Sequence, residues 1–494
     1  MKKYIKNKLI VTMPILVSIL TLTIVNCNKP SKSKIPITTS SEKAREYYMQ
    51  GFDLYEKLRR QDAVYYFLKA VAEDEKFAMG NLMLSYSIAQ DSPDRYFKYL
   101  NRSVELADDV SEGERLWILA GQALSSGDAK QGEKYYKKII QKYPNDEWSY
   151  NLLANLYFGL QDYDSAITYH KKALEINPEF SQPYNMLGYS YRNLGEYSKA
   201  EKYFIKYVEL IDDEPNPYDS YAELLYKMGK FESSIEYYRK ALEMKPEFLP
   251  SLLGIAANLN LLNRHAEAIK ELDKIGQISS RSGDLRTMNF NKAVSYVDKN
   301  DYNSALIVLK QNFDNSEKNE NFISLGQDCD NIAILDLLFG NTEKALHNFE
   351  RAMEYFDICD ISQEVKYNAR RQLFYNAGLV AFVEEDTVKL QNLAEKYAEE
   401  TKKANNPNQI RNSHDLTGLL FLLEEKYQQA VNEFQKGNLQ NPVALYFKGL
   451  ALEGIGDTSG AEDTFRKSAN FNPLPNMSWA FIRHLAQAKL DSYN

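Results

Sequence analysis

A spacing of 34 residues constrains this chain more than any other feature. Starting at Ala166, steps of 34 reach Ala200, Ser234 and Ala268, and one step back reaches Gly132. The same step takes Tyr163 to Tyr197 and Phe231, and Pro144 to Pro178, while Gly127, Gly195, Gly229 and Asn263 share one register. Five units fit without insertion: 113–146, 147–180, 181–214, 215–248 and 249–282. Self-similarity at such a period marks a supersecondary unit that cannot bury its apolar face alone and must stack on its neighbours.

Each landmark has a physical reason. Two antiparallel helices approach closely only where side chains are small, which places Ala154, Gly188 and Ala222 at unit position 8 opposite Ala166, Ala200 and Ser234 at position 20. Glycine or asparagine at position 15 supplies the left-handed residue that ends a first helix, and proline at position 32 cannot continue a second one. Large residues at positions 7, 11, 24 and 28, such as Leu187, Tyr191, Phe204 and Val208, recur at three- and four-residue spacing and form the buried stripe.

Leu187-Gly188, Tyr191, Ala200 and Phe204, with Ala173 and Pro178 in the unit before, make the pattern resemble the tetratricopeptide repeat. The resemblance implies an all-α, right-handed α-solenoid of about twelve helical hairpins that binds other proteins. Further units fit at 44–77, 78–112, 286–319, 326–359, 411–441 and 442–475, with a seam at Gly276–Asp284 and a helical stretch poor in landmarks at 360–405. Met477–Tyr493 reads as a closing helix over the last apolar face. The expected organisation is a leader at 1–26, a polar tether at 27–43, an N-terminal array at 44–282, a C-terminal array at 283–475 and a capping helix at 476–494.

The leader carries Lys2, Lys3, Lys6 and Lys8, then an apolar run from Leu9 to Val25, as an export signal does. The run ends at Asn26-Cys27, and Asn28–Ser41 is rich in Ser, Thr, Lys and Pro, which reads as a flexible tether. Ile24-Val25-Asn26-Cys27 resembles the lipobox of bacterial lipoproteins, with Asn26 where Gly, Ala or Ser is usual. The resemblance implies a lipidated Cys27 and a membrane-anchored protein of the cell envelope, in the outer membrane facing the periplasm or the cell surface. An uncleaved signal anchor also puts the body outside the cytoplasm.

A formal net charge of −8, with four of the lysines in the leader, argues against nucleic acid as the ligand. His170, His265, His347, His414 and His484 are scattered, without metal-ligand spacing, and there is no phosphate loop or nucleophile motif, so no cofactor and no catalysis are expected. Cys329 and Cys359 fall at positions 4 and 34 of one unit, where a disulfide is geometrically conceivable and two small apolar fillers are the alternative.

The expected function is a membrane-tethered scaffold that grips a partner protein or peptide in its concave groove and supports envelope assembly or transport. The alternative is a surface lipoprotein that captures glycan or another small ligand. Positions 2, 5, 9 and 12 of successive first helices share a face. In the best three units this groove reads Trp148, Asn151, Asn155 and Phe158; Gln182, Asn185, Tyr189 and Arg192; and Asn216, Asp219, Glu223 and Tyr226. Carboxamides both donate to and accept from a peptide backbone, and Trp148, Tyr189 and Tyr226 offer flat anchors. Of the two-carboxylate clamp of chaperone-binding relatives only Asn155 matches; Asn151, Asn216 and Ser220 stand where basic residues would.

Overall fold

The computed structural model describes residues 34–89, 93–438 and 440–493, the side chains of Pro93 and Asp94 excepted; the leader and Cys27 lie outside this range. Twelve antiparallel hairpins follow one another. They are α1 (Glu42–Glu56) with α2 (Arg60–Glu73), α3 (Ala78–Ile88) with α4 (Pro93–Glu105), α5 (Glu112–Ser125) with α6 (Ala129–Lys142), and α7 (Glu147–Gly159) with α8 (Tyr163–Ile176). Next come α9 (Ser181–Asn193) with α10 (Tyr197–Leu210), α11 (Pro215–Lys227) with α12 (Phe231–Met244), α13 (Leu249–Leu261) with α14 (His265–Ile278), and α15 (Ser282–Asp298) with α16 (Tyr302–Lys318). The last four are α17 (Phe322–Leu338) with α18 (Thr342–Ile358), α19 (Gln363–Val383) with α20 (Thr387–Ala404), α21 (Pro407–Leu423) with α22 (Tyr427–Lys436), and α23 (Pro442–Gly454) with α24 (Thr458–Ala469). Helix α25 (Met477–Asp491) closes the array. No helix among the described residues is long and apolar enough to cross a membrane.

Position 15 turns every hairpin whose turn is described through the left-handed region. Gly127, Gly195, Gly229 and Asn263 do so, as their residue types predict, but so do Leu58, Gln161, Asn300, Glu385 and Glu425, with φ between 57° and 62°. The backbone there is dictated by the geometry of the hairpin, and non-glycine residues accept it. In five hairpins the next residue is an aspartate whose carboxylate caps the second helix: Asp128, Asp162, Asp301, Asp386 and Asp457.

Position 8 is smaller than helix approach alone requires. Gly51, Gly188, Gly418 and Gly449 each lie under the ring of the phenylalanine at position 24, and a Cβ on any of them would sit 2.5–2.9 Å from that ring. Where position 8 is alanine, position 24 is another residue in all but one described case: Tyr136, His170, Tyr238, Leu272 and Leu309, against Phe349 over Ala333. His170 is fully buried in an aromatic's place with both ring nitrogens unpartnered, and burial holds its pKa down at about 3.

The seam at 276–284 is shorter than its composition suggests. Helix α14 runs to Ile278 and α15 starts at Ser282, packed directly on it. What changes there is length. First helices of 11–15 residues up to α13 give way to 17 in α15 and α17 and 21 in α19, so the spacing grows and the 34-residue register is lost while the stacking continues. Residues 360–405 hold the longest hairpin, which is why they lack landmarks.

The solenoid also winds onto itself. The end of α7 meets the start of α21, where Asn408 donates to the Gly159 carbonyl at 3.1 Å and Arg411 to that of Leu160. The end of α9 meets the start of α23, through Gln440 and the Asn193 carbonyl at 3.5 Å. The end of α11 meets the approach to α25, where Asn472 donates to the Tyr226 carbonyl at 3.3 Å. Each contact joins helices fourteen apart, so seven hairpins complete a turn and successive turns touch. Helix α25 additionally packs against α15 and α17: Arg483 donates to Asp298 at 2.6 Å, alongside His265 at 2.8 Å and His484 at 3.1 Å. Burial would raise the Asp298 carboxyl, but these bonds and the Arg483 charge hold it at about 2.

The expectation of a flexible tether is corrected for its second half. Residues 34–41 lie extended along the starts of α3, α5 and α7. Thr38 binds the fully buried Glu114 through both its amide (2.7 Å) and its hydroxyl (2.6 Å). Thr39 and Ser40 bind Asp74, Lys34 pairs with Glu147, and Ile35 packs against Gly113. The acids at these helix starts find their donors in a segment that carries none of its own.

Candidate functional site

Successive first helices touch one another, as α9 with α11 and α11 with α13, more closely than successive second helices do. The first helices therefore line the concave side, and α7, α9 and α11 carry the twelve groove residues. Their exposure divides the strip into two closed ends and a partly open middle.

At one end Trp148 is buried. Its ring packs with those of Phe52 (4.8 Å between centroids), Phe180 (5.0 Å) and Trp117 (6.3 Å), and its Nε1 donates to Glu56 at 2.8 Å. Gln182 donates to the carbonyls of Tyr55 and Glu56, both at 3.2 Å. The turn between α1 and α2 thus occupies this end. At the other end the buried Tyr226 hydroxyl donates to the Pro473 carbonyl at 3.1 Å, and Lys227 donates to that of Phe471 with its ammonium 3.5 Å from the ring centre. Burial, reinforced by the Arg192 charge, lowers the Lys227 pKa to about 7. The expected open groove is corrected at these places: Trp148, Gln182 and Tyr226 are anchors for the chain's own turns. Sequence could not reveal this, because the contacts join residues about 90 and 250 apart that only the superhelical pitch brings together.

Between the ends, Asn155, Phe158, Tyr189, Arg192, Asn216 and Glu223 remain partly accessible, with Asn151, Asn185 and Asp219 buried beneath them. Arg192 pairs with Glu223 at 3.0 Å and lies 4.5 Å from the centre of the Tyr189 ring, whose hydroxyl donates to Ser220 at 3.2 Å. Asn216 accepts from Tyr207 at 2.9 Å, and Asn151 donates to Gln182 at 3.2 Å. Asp219 accepts from Ser251 at 2.7 Å; burial first, and the Glu223 charge second, push its carboxyl well above the usual carboxylate range. The Oδ1 atoms of Asn151, Asn155 and Asn185 and the Nε of Arg192 have no partner. The middle of the strip thus presents Asn155 and Asn216 between two rings and an ion pair, over the buried carboxamides of Asn151 and Asn185. It is suited to hydrogen bonding and stacking. No nucleophile in it stands against a base.

Four tetratricopeptide-repeat models match the chain, over residues 116–146, 148–180, 171–202 and 216–248. Residues 116–146, 148–202 and 216–248 are tetratricopeptide repeats, and nearly all of α7, α9 and α11 falls within them, so the candidate groove of this all-α solenoid lies in tetratricopeptide repeats. Similar solved structures include the MamA protein (21% identity, TM-score 0.28, covering 33% of this chain and 89% of that one). MamA 41-end from Desulfovibrio magneticus RS-1 gives 17% identity and TM-score 0.29, covering 34% of this chain and 94% of that one. The APC/C hetero-tetramer Cut9-Hcn1 gives 13% identity and TM-score 0.38, covering 86% and 76%. No curated protein matches the sequence.

Elsewhere in the solenoid, Cys329 and Cys359 are both buried and not joined in a disulfide, and Cys359 donates to the Tyr355 carbonyl at 3.1 Å. Burial pushes the Cys329 thiol up to about 12. Among the described residues no group of three or more His, Cys, Asp or Glu is placed to hold a metal ion.

Proposed function

We propose that this tetratricopeptide solenoid is an exported scaffold, tethered to a membrane through a lipidated Cys27, that holds a partner protein of the cell envelope by an extended segment laid across the middle of the groove. The observation that carries the reading is the partly accessible run of Asn155, Phe158, Tyr189, Arg192 and Asn216 on the concave side of tetratricopeptide repeats, with Asn151 and Asn185 buried beneath it. Carboxamides at such a surface bond a peptide backbone, and the rings of Phe158 and Tyr189 add apolar contact. The apolar run 9–25 ending at Cys27 supports export and anchoring.

A photo-crosslinking residue placed at Phe158 in living cells should capture a defined partner, whereas the same residue at Tyr65, exposed on a second helix, should not. Capture from Tyr65 alone would put the binding face on the convex side. Separately, a clickable fatty acid should label the wild type and not Cys27→Ser; equal labelling of both would remove the lipid anchor from the reading.

A further inference from the structure

Helices α17, α18 and α19 line a half-open cavity of about 370 Å³. Ile323, Gln327 and Asp330 line it from one face of α17, and Phe349, Met353 and Phe356 from one face of α18. Phe97 of α4 reaches it from the preceding superhelical turn. Its polar lining is carboxamide except at Asp330, and no lysine, arginine or histidine faces it.

Asp330 differs from the other aspartates of this array. Asp298 is held by Arg483 and two histidines, Asp328 by Arg286 and Ser316, Asp336 by Tyr302 and Asn348, and Asp415 by Asn438 and Asn441. Asp330 has no hydrogen-bond donor and no cation beside it among the described residues, and burial alone raises its pKa to about 7. A partly buried carboxylate without a partner leaves room for a ligand to supply the opposite charge. Three phenylalanines line the same space, and aromatic ring faces attract cations.

We propose that this cavity binds a small organic cation, a primary amine or guanidinium on an apolar body, with the cation on Asp330 and the body among Phe97, Phe349 and Phe356. The volume is near the lower end of the range of roughly 300–1,000 Å³ seen for small-molecule sites, so the ligand is about the size of one aromatic amine.

Titration calorimetry of the full described chain against phenethylamine at pH 8 tests the assignment, with 2-phenylethanol and phenylacetate as neutral and anionic counterparts and a blocked lysine peptide as the polypeptide source. Phenethylamine should bind, its counterparts should not, and Asp330→Asn should weaken binding at least tenfold. Met353→Trp, which fills the space and leaves Asp330 in place, should abolish it, so the test survives a poorly folding Asp330→Asn. Binding of 2-phenylethanol as tightly as the amine, undiminished binding by Asp330→Asn, binding of the peptide in place of the amine, or no heat with phenethylamine at millimolar concentration would each overturn the proposal.

Discussion

Replacing His170 with leucine should stabilise the hairpin formed by α7 and α8, and by more at acid pH than at neutral pH. His170 fills position 24, where Leu272 and Leu309 sit over alanine in other hairpins, so a leucine of similar volume has precedent over Ala154. The substitution removes two ring nitrogens that are buried without partners, each worth roughly 1–3 kcal/mol, so a gain on the order of 2–6 kcal/mol is expected at pH 7.5. The folded-state pKa is depressed from 6.5 to about 3 by burial, so the unfolded chain binds a proton that the folded chain refuses. Stability therefore falls as pH drops below 6.5 and keeps falling until about pH 3. At pH 5 the wild type has lost roughly 1.5 pH units at 1.36 kcal/mol each, about 2 kcal/mol, that the leucine variant keeps. Solenoid stability is local, so the measurement is amide hydrogen exchange of α7 to α10, wild type against variant at each pH. An advantage that does not grow between pH 7.5 and pH 5 would refute the reasoning.

Gly188→Ala should cost about 1–3 kcal/mol, because its Cβ would meet the buried Phe204 ring at 2.7 Å, while Gly159→Ala, with open space around it, should gain up to ~1 kcal/mol in the same exchange measurement. Asp298→Ala leaves Arg483 mostly buried without its carboxylate, so residues 477–491 should lose protection equivalent to about 3 kcal/mol while α7 to α10 are unaffected. Glu425→Gly, at φ 58° and exposed, should raise the stability of the α21–α22 hairpin by roughly 1 kcal/mol; a loss would mean the side chain has a role its position does not show. Cys329 and Cys359 should resist a maleimide in the native protein and react on unfolding, and fast native labelling would contradict their burial.

What repeats every 34 residues was legible because it is local. The closeness of Gly188 to Phe204, the turn at Gly195 and the break at Pro178 are each decided within one hairpin. Leu58, Gln161, Glu385 and Glu425 occupy the same left-handed position without a telling residue type, so only the repeat register could have pointed to them. Contacts between turns were illegible for a different reason. Tyr226 meets Pro473 because small rotations sum over seven hairpins, and no single hairpin encodes that sum. The other end is closed by the α1–α2 turn, only three hairpins from Trp148, and that crossing too is encoded in no single hairpin. The docking of Thr38 on Glu114 escaped notice because polar, Pro-containing segments look alike whether free or bound until the acids awaiting them are seen.

Were Cys27 lipidated as proposed, that docked segment would fix how the body is moored. Only seven peptide units separate Cys27 from Lys34, which is pinned to Glu147, and a fully stretched chain covers no more than about 3.6 Å per residue, roughly 25 Å here. The protein would then be berthed rather than leashed, the rim made by the starts of α5 and α7 staying within a small protein's width of the lipid. A partner lying across Asn155 and Tyr189 would then be held alongside that surface, at a height set by the hairpins and not by the length of a swinging tail.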